Sequence, residues 1–261
     1  MVRRLLVLTA ACLVISQAQA EVEAPAWRIA IIIDDLGYGL ENGKRAIDLP
    51  GPVSYGVLPA TPRGRLLAEM IHERGKEVLL HLPLQSTTGQ LVDEPGRLGL
   101  DMTREQFAAA LAVNLAAVPH IKGVNSHRGS LLTRHPGHTA WLMEEIKSYG
   151  GLFFVDSYTT HESVALLLAQ ETGVPAVKRD VFLDPDFEPG TLEREFARLK
   201  QLARERGFAV GIGHPYPQTL ALLEAELPAL AGEGYELVSI GRYIELQQKV
   251  PAAVHTAEIA E

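Results

Sequence analysis

Short apolar segments alternate with helix-like segments from residue 28 to about residue 243, and this alternation limits the folds that the chain can adopt. The strand-like segments are 29–33, 53–58, 77–82, 122–125, 152–155, 176–183, 208–212 and 236–240. The sequence between them carries helix start and stop signals and no signal for an antiparallel hairpin. Because βα repeats of this number wind right-handedly and close on themselves, we predict an α/β fold, an irregular TIM-like (β/α)7–8 barrel.

The first predicted strand runs directly into two aspartates, in the sequence RIAIIIDDLGY at 28–38. Its continuous β-branched apolar run is typical of a strand buried on both faces of a parallel sheet. Active sites form at the carboxyl ends of barrel strands, so Asp34 and Asp35 are candidate functional residues. A turn or a helix cap is the alternative. Since successive strand residues point to opposite faces, we expect the two aspartates to have different roles.

The N-terminus has the pattern of a secretory signal peptide over residues 1–20. Arg3 and Arg4 form a basic start, an apolar run follows at 5–15, and Ala-Gln-Ala at 18–20 is a cleavage motif. We therefore predict a periplasmic or secreted protein, cleaved near Ala20. A lipoprotein signal ending at Cys12 is the second interpretation. Cys12 is the only cysteine, so the mature chain would hold no disulfide.

The remaining sequence predicts one domain at 28–247, flanked by loose tails at 21–27 and 248–261. Removal of Arg3 and Arg4 with the signal peptide changes the formal net charge from −8 to −10, which argues against a nucleic-acid partner. No later segment reaches the roughly 18 apolar residues of a membrane span, so we expect no transmembrane segment in the mature chain.

Polar residues recur where the predicted strands end, and they come from six different βα units. A carboxylate with two histidines is a common catalytic-metal ligand set, a second carboxylate can accept a proton, and another histidine can donate one. The strand-end residues are Asp34, Asp35, His81, Asn125, His127, Asp156, Asp184 and His214.

Simpler explanations compete for several of these and other polar residues. His81 could be a hydrogen-bonded core histidine, and Asp156 and Asp184 could cap the loops that follow them. His135 and His138 have a spacing that could suit a metal, but helix capping is the favoured interpretation. The remaining histidines are expected at the surface, with His161 inside a predicted capping box at 159–162.

Six motifs together resemble the divergent polysaccharide deacetylase family, a remote branch of the NodB-type carbohydrate esterases. They are IIIDDLG at 31–37, GKEVLLHLPLQ at 75–85, GVNSHRGSLLT at 123–133, LFFVDSYTT at 152–160, RDVFLD at 179–184 and GIGHPYPQTL at 211–220. The resemblance implies a NodB-type barrel that deacetylates N-acetylated sugars with a divalent metal, usually zinc.

The resemblance also implies roles for individual residues. It places a catalytic base on Asp34, a metal ligand on Asp35, another ligand on His81 and the catalytic acid on His214. The second histidine of the family's His-x-x-x-His motif is replaced by Gln85. From spacing and chemistry, we hypothesise that His127 supplies the missing ligand.

We therefore predict an exported metal-dependent hydrolase, most simply a deacetylase of a glycan or of peptidoglycan, with zinc as the expected cofactor. Its sugar site is predicted to be lined by Gln85, Asn125, Arg128 and Asp184. Two alternatives remain open at this point. One is a non-catalytic periplasmic glycan-binding or scaffold protein that retains a metal site, which Gln85 favours; the other is hydrolysis of a different bond on the same scaffold.

Overall fold

The computed structural model describes residues 27–88 and 94–249. The predicted signal peptide, with Cys12, and most of the two predicted tails lie outside the described residues. The first strand begins at Trp27 and the last helix ends at Lys249. No helix in the described ranges is long and apolar enough to cross a bilayer.

Nine strands and eight α-helices alternate along the described chain. The strands are β1 Trp27–Leu36, β2 Ser54–Val57, β3 Glu77–Leu84, β4 Ile121–Arg128, β5 Phe153–Asp156, β6 Ala176–Lys178, β7 Val181–Phe182, β8 Phe208–Gly213 and β9 Tyr235–Val238. The helices are α1 Leu40–Ile47, α2 Gly64–Glu73, α3 Arg104–Ala117, α4 Pro136–Tyr149, α5 Ala165–Thr172, α6 Thr191–Arg206, α7 Pro217–Glu226 and α8 Ile240–Lys249.

The strands form one curled parallel sheet in the order β6-β5-β4-β3-β2-β1-β8-β7. β9 pairs with the first half of β1, at Trp27 to Ala30, whereas β2 pairs with the second half. The predicted α/β barrel is confirmed as a deformed half-barrel of this kind.

The predicted strand at 176–183 is wrong, because it is two strands at opposite ends of the sheet. The backbone N–H of Arg179 donates to the carbonyl of Asp156 at the end of β5. The N–H of the next residue, Asp180, donates to Val210 in β8, and its carboxylate accepts from the Val210 N–H at 2.8 Å. Two consecutive residues therefore carry the chain across the opening of the half-barrel.

Helix starts follow the sequence signals in two places and depart from them in a third. Thr103 and Gln106, in the sequence Thr-Arg-Glu-Gln, form a capping box at the start of α3, and the His135 side chain caps α4. The capping box predicted at 159–162 is wrong, since α5 begins only at Ala165. The Thr160 hydroxyl instead accepts from the Glu162 N–H at 3.3 Å, within a turn.

Strand alternation divides the core into two layers. Ile29, Ile31 and Ile33 pack with side chains of the surrounding helices, whereas Ala30 and Ile32 join a smaller cluster that faces the inside of the curled sheet. Leu79, Val155 and Ile212 of other strands belong to that inner cluster, which α8 closes at one end through Tyr243 and Ile244. Two residues further along each strand, the next inward-facing side chain lies at the opposite end of the half-barrel, where the carboxyl ends of the strands meet.

Candidate metal centre

Every second residue of a strand faces the inside of the curled sheet, and these inward-facing residues change from apolar to polar at the carboxyl ends of the strands. Asp34 follows Ile32 on the inward face of β1, and His81 follows Leu79 on that of β3. Asn125 and His127 share the inward face of β4, because Val124, which precedes them, packs outward and successive residues alternate. His214 follows Ile212 in β8. Four strands therefore deliver polar side chains to one mouth of the half-barrel.

Asp35 reaches the same mouth through an unusual backbone conformation. Its φ is +59°, in the left-handed region, and the pairing of β1 with β2 shifts register between Ile33 and Leu36. Strict alternation would point Asp35 away from Asp34, but this irregularity turns it inward, so that both carboxylates face the same imidazole, that of His81. The expectation that the two aspartates lie on opposite faces is wrong.

Three ligand-type atoms converge in a nearly equilateral triangle. Asp35 Oδ1 lies 3.2 Å from His81 Nε2 and 3.0 Å from His127 Nδ1, and the two histidine nitrogens are 3.0 Å apart. In the described chain, this is the group of three or more such residues that could hold a metal ion. Ligand atoms around a tetrahedral zinc lie about 3.3 Å apart, given Zn–N and Zn–O distances of about 2.0–2.2 Å.

An unsatisfied oxygen supports the same interpretation. Asp35 Oδ1 is buried and makes no hydrogen bond of acceptable geometry in the described structure. A buried carboxylate oxygen without a partner is costly. A cation among Asp35, His81 and His127 would satisfy it, so these three residues fit a divalent metal.

The opposite nitrogen of His81 lies against a buried polar network. Asn125 Nδ2 donates to both oxygens of Asp34, at 2.7 and 2.9 Å, and Asn125 Oδ1 lies 3.0 Å from His81 Nδ1. Asp34 Oδ1 is 3.5 Å from the same nitrogen. Gly56 on β2 allows this packing, since a Cβ there would lie only 2.0 Å from Asp34 Oδ1.

Burial and pairing shift the acid–base properties of the site. Burial raises the pKa of the Asp34 carboxyl, although His81, His214 and Asn125 act in the opposite direction. Burial would also raise the pKa of Asp35, but His127 and His81 outweigh it and hold that pKa well below its ordinary value. For His81, the two carboxylates outweigh burial and raise the pKa to about 9.

His214 stands at the edge of the triangle and is held by Asp184. Asp184 accepts from the His214 backbone N–H at 2.7 Å and from the Thr219 hydroxyl at 2.8 Å, and its Oδ1 lies 2.9 Å from His214 Nδ1. The other ring nitrogen, Nε2, is 3.8 Å from Asp35 Oδ2. Burial lowers the pKa of His214, but hydrogen bonding and charge interaction with Asp184 outweigh it and raise that pKa.

Aromatic rings border His214 on the outer side of the mouth. Tyr216 lies 5.5 Å from His214 between ring centroids, and Phe187 packs edge-to-face on Tyr216 at 5.0 Å. Phe187 is 55% exposed and Tyr216 is 40% exposed, which is unusual for large side chains that contact each other. The two rings therefore form an exposed aromatic ridge beside the candidate metal centre.

The four residues predicted to line the sugar site lie in three different places around the candidate metal centre. Asn125 and Asp184 lie behind His81 and His214, as described above. Arg128, at the end of β4, is also left-handed with a φ of +58°, and its side chain is 46% exposed at the mouth. Gln85 uses its side-chain carbonyl to accept from the Leu100 N–H at 2.7 Å, so it holds the loop that follows β3. Their predicted contacts with a sugar stay predictions.

Asp156, His135 and His138 do not join the triangle. Asp156 accepts from the Tyr158 N–H at 2.9 Å and from the Ser163 hydroxyl at 2.6 Å, as the loop-capping alternative predicts. His135 Nδ1 accepts from the His138 N–H at 3.3 Å at the start of α4. The capping interpretation of His135 is confirmed.

Sequence reasoning missed Glu94, in the loop between β3 and α3. Its Oε1 lies 2.9 Å from His127 Nε2, on the side of the ring that faces away from the triangle. Glu94 follows no predicted strand, so the strand-end rule could not identify it. The only signal in the sequence is the length of the segment that follows the predicted strand at 77–82, since long loops are often functional.

The described chain is thus a parallel α/β half-barrel with a candidate Asp–His–His metal centre at the carboxyl ends of its strands. The family model for the divergent polysaccharide deacetylases matches residues 31–244. The chain therefore belongs to the divergent polysaccharide deacetylase family, and the resemblance drawn from its motifs is confirmed.

Individual relatives agree with this assignment. The chain is 35% identical over 199 residues to the uncharacterized protein YibQ of Escherichia coli strain K12, a match that covers 76% of this chain and 62% of YibQ. It is 33% identical over 225 residues to an uncharacterized protein of Haemophilus influenzae, covering 86% of this chain and 79% of the relative. The crystal structure of the uncharacterized Agrobacterium tumefaciens protein ATU2773 shares the fold, with a TM-score of 0.80 at 23% identity, covering 85% of this chain and 90% of that one.

Proposed function

We propose that this protein is an exported, metal-dependent hydrolase that removes acetyl groups from an N-acetylated glycan, such as a cell-wall component. The observation that carries the proposal is the triangle formed by Asp35, His81 and His127, with an orphaned carboxylate oxygen at one corner. Membership of the divergent polysaccharide deacetylase family supports a glycan as the substrate class.

Asp35, His81 and His127 would hold the metal, with zinc expected from the two nitrogens and one oxygen of the donor set. A divalent cation held there supplies Lewis-acid polarisation of a carbonyl group and lowers the pKa of a water molecule towards about 7. Because Gln85 uses its amide to hold a loop, His127 of β4 takes the ligand position that the family motif assigns to a histidine four residues after His81.

Two further residues have proposed acid–base roles. Asp34 would accept a proton, since burial raises the pKa of its carboxyl and makes the ionised form a stronger base. His214 would donate a proton to the leaving amine. Its Asp184 contact favours the imidazolium form, and its Nε2 points towards Asp35 rather than into the core. Burial therefore strengthens Asp34 as a base once it is ionised, and Asp184 favours the protonated His214 that a proton donor needs.

The aromatic ridge of Phe187 and Tyr216 supports a sugar over a small amide as substrate. Ring faces exposed beside the site offer apolar surface to the C–H groups of a pyranose, while the edge-to-face pair keeps them fixed. Arg128, whose side chain is exposed at the mouth, would contribute polar contacts to the same substrate. The export part of the proposal depends on the sequence pattern at 1–20 alone.

Acetate release from N-acetylglucosamine oligomers and from peptidoglycan tests the proposal. Wild type with zinc should release acetate, chelator-treated protein should not, and added zinc should restore release. Asp34→Asn and His214→Ala should keep zinc but lower kcat by about 10²–10⁴. His161→Ala, at an exposed loop position, is the matched histidine control and should be unchanged.

A non-catalytic glycan-binding protein is the competing function, favoured by the absence of a histidine at Gln85. It predicts that zinc-loaded wild type binds the oligomers without releasing acetate from any of them. That outcome would overturn the hydrolase proposal while leaving the metal centre intact.

A further inference from the structure

Glu94 contacts the candidate metal centre from outside the set of proposed ligands. Its Oε1 lies 2.9 Å from His127 Nε2, while His127 Nδ1 lies 3.0 Å from both Asp35 Oδ1 and His81 Nε2. The imidazole of His127 therefore stands between a carboxylate on one side and the ligand triangle on the other. The two side chains are largely shielded from solvent, at 21% exposure for Glu94 and 15% for His127.

The loop that carries Glu94 is fixed to two elements of the barrel. The Leu98 N–H donates to the carbonyl of Pro83, and the Gln85 N–H donates to the carbonyl of Leu98, each at 2.9 Å. On the other side, Asn114 of α3 donates from Nδ2 to the Gly96 carbonyl at 2.7 Å. Hydrogen bonds to β3 and α3 thus follow Glu94 within a few residues and hold its end of the loop.

We propose that Glu94 is a positioning residue that sets the tautomer of His127, so that Nδ1 is the nitrogen that faces the metal. A carboxylate can only accept a hydrogen bond, so the proton of a neutral His127 must lie on Nε2 to form this contact. The lone pair is then on Nδ1, at the corner of the triangle. This inference rests on the metal site of the proposed function and concerns how that site is assembled.

His81 is oriented in the opposite sense by its own partner. Asn125 donates from Nδ2 to Asp34, so its Oδ1 accepts and requires a proton on His81 Nδ1. The lone pair of His81 then lies on Nε2, the atom in the triangle. The two histidines would therefore present different nitrogens, each selected by a hydrogen-bond acceptor on the far side of its ring. Such outer partners of ligand histidines typically change metal affinity by 10–100-fold.

Glu94 itself is not placed to bind the same metal. It lies across the imidazole of His127 from the triangle and is absent from the described residues whose ligand atoms converge there. Arg128 Nε lies 3.7 Å from Glu94 Oε2, which partly balances the charge of the carboxylate. The structure therefore supports a hydrogen-bonding role for Glu94 rather than direct coordination.

Zinc affinity measured by competition with a chromogenic chelator tests this role without any use of activity. Glu94→Ala should weaken zinc binding by about 10–100-fold. Glu94→Gln keeps an acceptor oxygen and should fall between wild type and Glu94→Ala. Asp101→Asn removes the same charge near the end of the same loop, where Asp101 is exposed and pairs with Arg97, and should bind zinc as wild type does. Circular dichroism of each variant checks that it is folded.

Long-range ¹H–¹⁵N NMR of the zinc-loaded wild type reads the tautomers directly. We expect a protonated Nε2 and a zinc-bound Nδ1 for His127, and the reverse for His81. A zinc-bound Nε2 in His127, or wild-type zinc affinity in folded Glu94→Ala, would overturn the inference even if acetate release is observed. Zinc binding that depends on Glu94 without acetate release would leave the inference standing and contradict the hydrolase proposal.

Discussion

The left-handed backbone of Asp35 is the feature of a single residue on which the candidate metal centre depends most. This conformation costs a residue with a Cβ about 1–2 kcal/mol, and such strain is concentrated at functional sites. Its effect is to bring a second carboxylate to the face that Asp34 already occupies, so that His81 lies between the two. One carboxylate thereby becomes available to a metal while the other stays buried beneath the ring.

Replacement of Asp184 directly tests the proposed role of His214 as the catalytic acid. Its negative charge raises the pKa of His214 against the effect of burial, so the imidazolium form persists to higher pH than it otherwise would. Asp184→Asn removes that charge, so the pKa of His214 should fall. If His214 is the acid, the alkaline limb of the kcat/KM profile should move to lower pH by the same amount.

NMR titration of the histidines measures the pKa of His214, and the pH–rate profile of the same variant measures the position of the alkaline limb. Asp186→Asn is the control, because Asp186 is an exposed carboxylate only two residues away. An alkaline limb that stays in place in Asp184→Asn while the pKa of His214 falls would exclude His214 as the acid.

Much of the site could be predicted from residues at strand ends, because alternation along a strand is regular. His81, His127 and His214 all lie two residues beyond an inward-facing position of their strands. The inward turn of Asp35 could not be predicted, since a positive φ leaves no pattern of apolar and polar residues. Glu94 could not be predicted either, because it reaches His127 through a loop whose course depends on tertiary hydrogen bonds.

At the scale of elements, α8 closes the end of the half-barrel opposite the metal centre, and Glu77 fixes its start. Both Glu77 oxygens accept from the Gly241 N–H, at 3.1 and 3.0 Å, and Oε1 also accepts from the Ser54 hydroxyl at 2.7 Å. A carboxylate at a helix N-terminus satisfies unpaired N–H groups and interacts favourably with the helix dipole. The first residue of β3 thus connects β2 to α8.

Glu77→Ala should lower the free energy of unfolding by about 2–3 kcal/mol, because the Ser54 hydroxyl and the Gly241 N–H lose a charged acceptor. Glu245→Ala is the matched control within α8, where the Glu245 side chain is exposed and pairs with Arg242. Its cost should stay below about 0.5 kcal/mol. Urea unfolding measures both. Equal destabilisation by the two substitutions would show that Glu77 does not anchor the helix.

Element types were easier to predict than their connections. The predicted strands at 29–33, 77–82 and 208–212 lie within β1, β3 and β8, since short, mainly apolar runs between turn signals favour buried strands. The run at 176–183 has the same character, but its two halves pair with different strands. Periodicity indicates that a residue is in a strand and gives no information on its partner.

At the scale of the whole molecule, the inside of the half-barrel contributes to both stability and the proposed chemistry. Its lower part is apolar and closed by α8, and its upper part holds a polar network of Asp34, Asn125 and His81 beneath the ligand triangle. Burial of that network is possible because each member has a hydrogen-bonding partner, apart from the Asp35 oxygen that a cation would satisfy.

The most direct test of the metal centre is the zinc content of purified wild type and of three alanine variants, measured by elemental analysis after dialysis. We predict one zinc ion per chain in wild type and in His135→Ala, whose histidine caps α4 away from the triangle. Folded His81→Ala and His127→Ala should retain little or none. Loss of zinc from His135→Ala alone, with His81→Ala and His127→Ala fully loaded, would contradict the assignment of Asp35, His81 and His127 as the metal ligands.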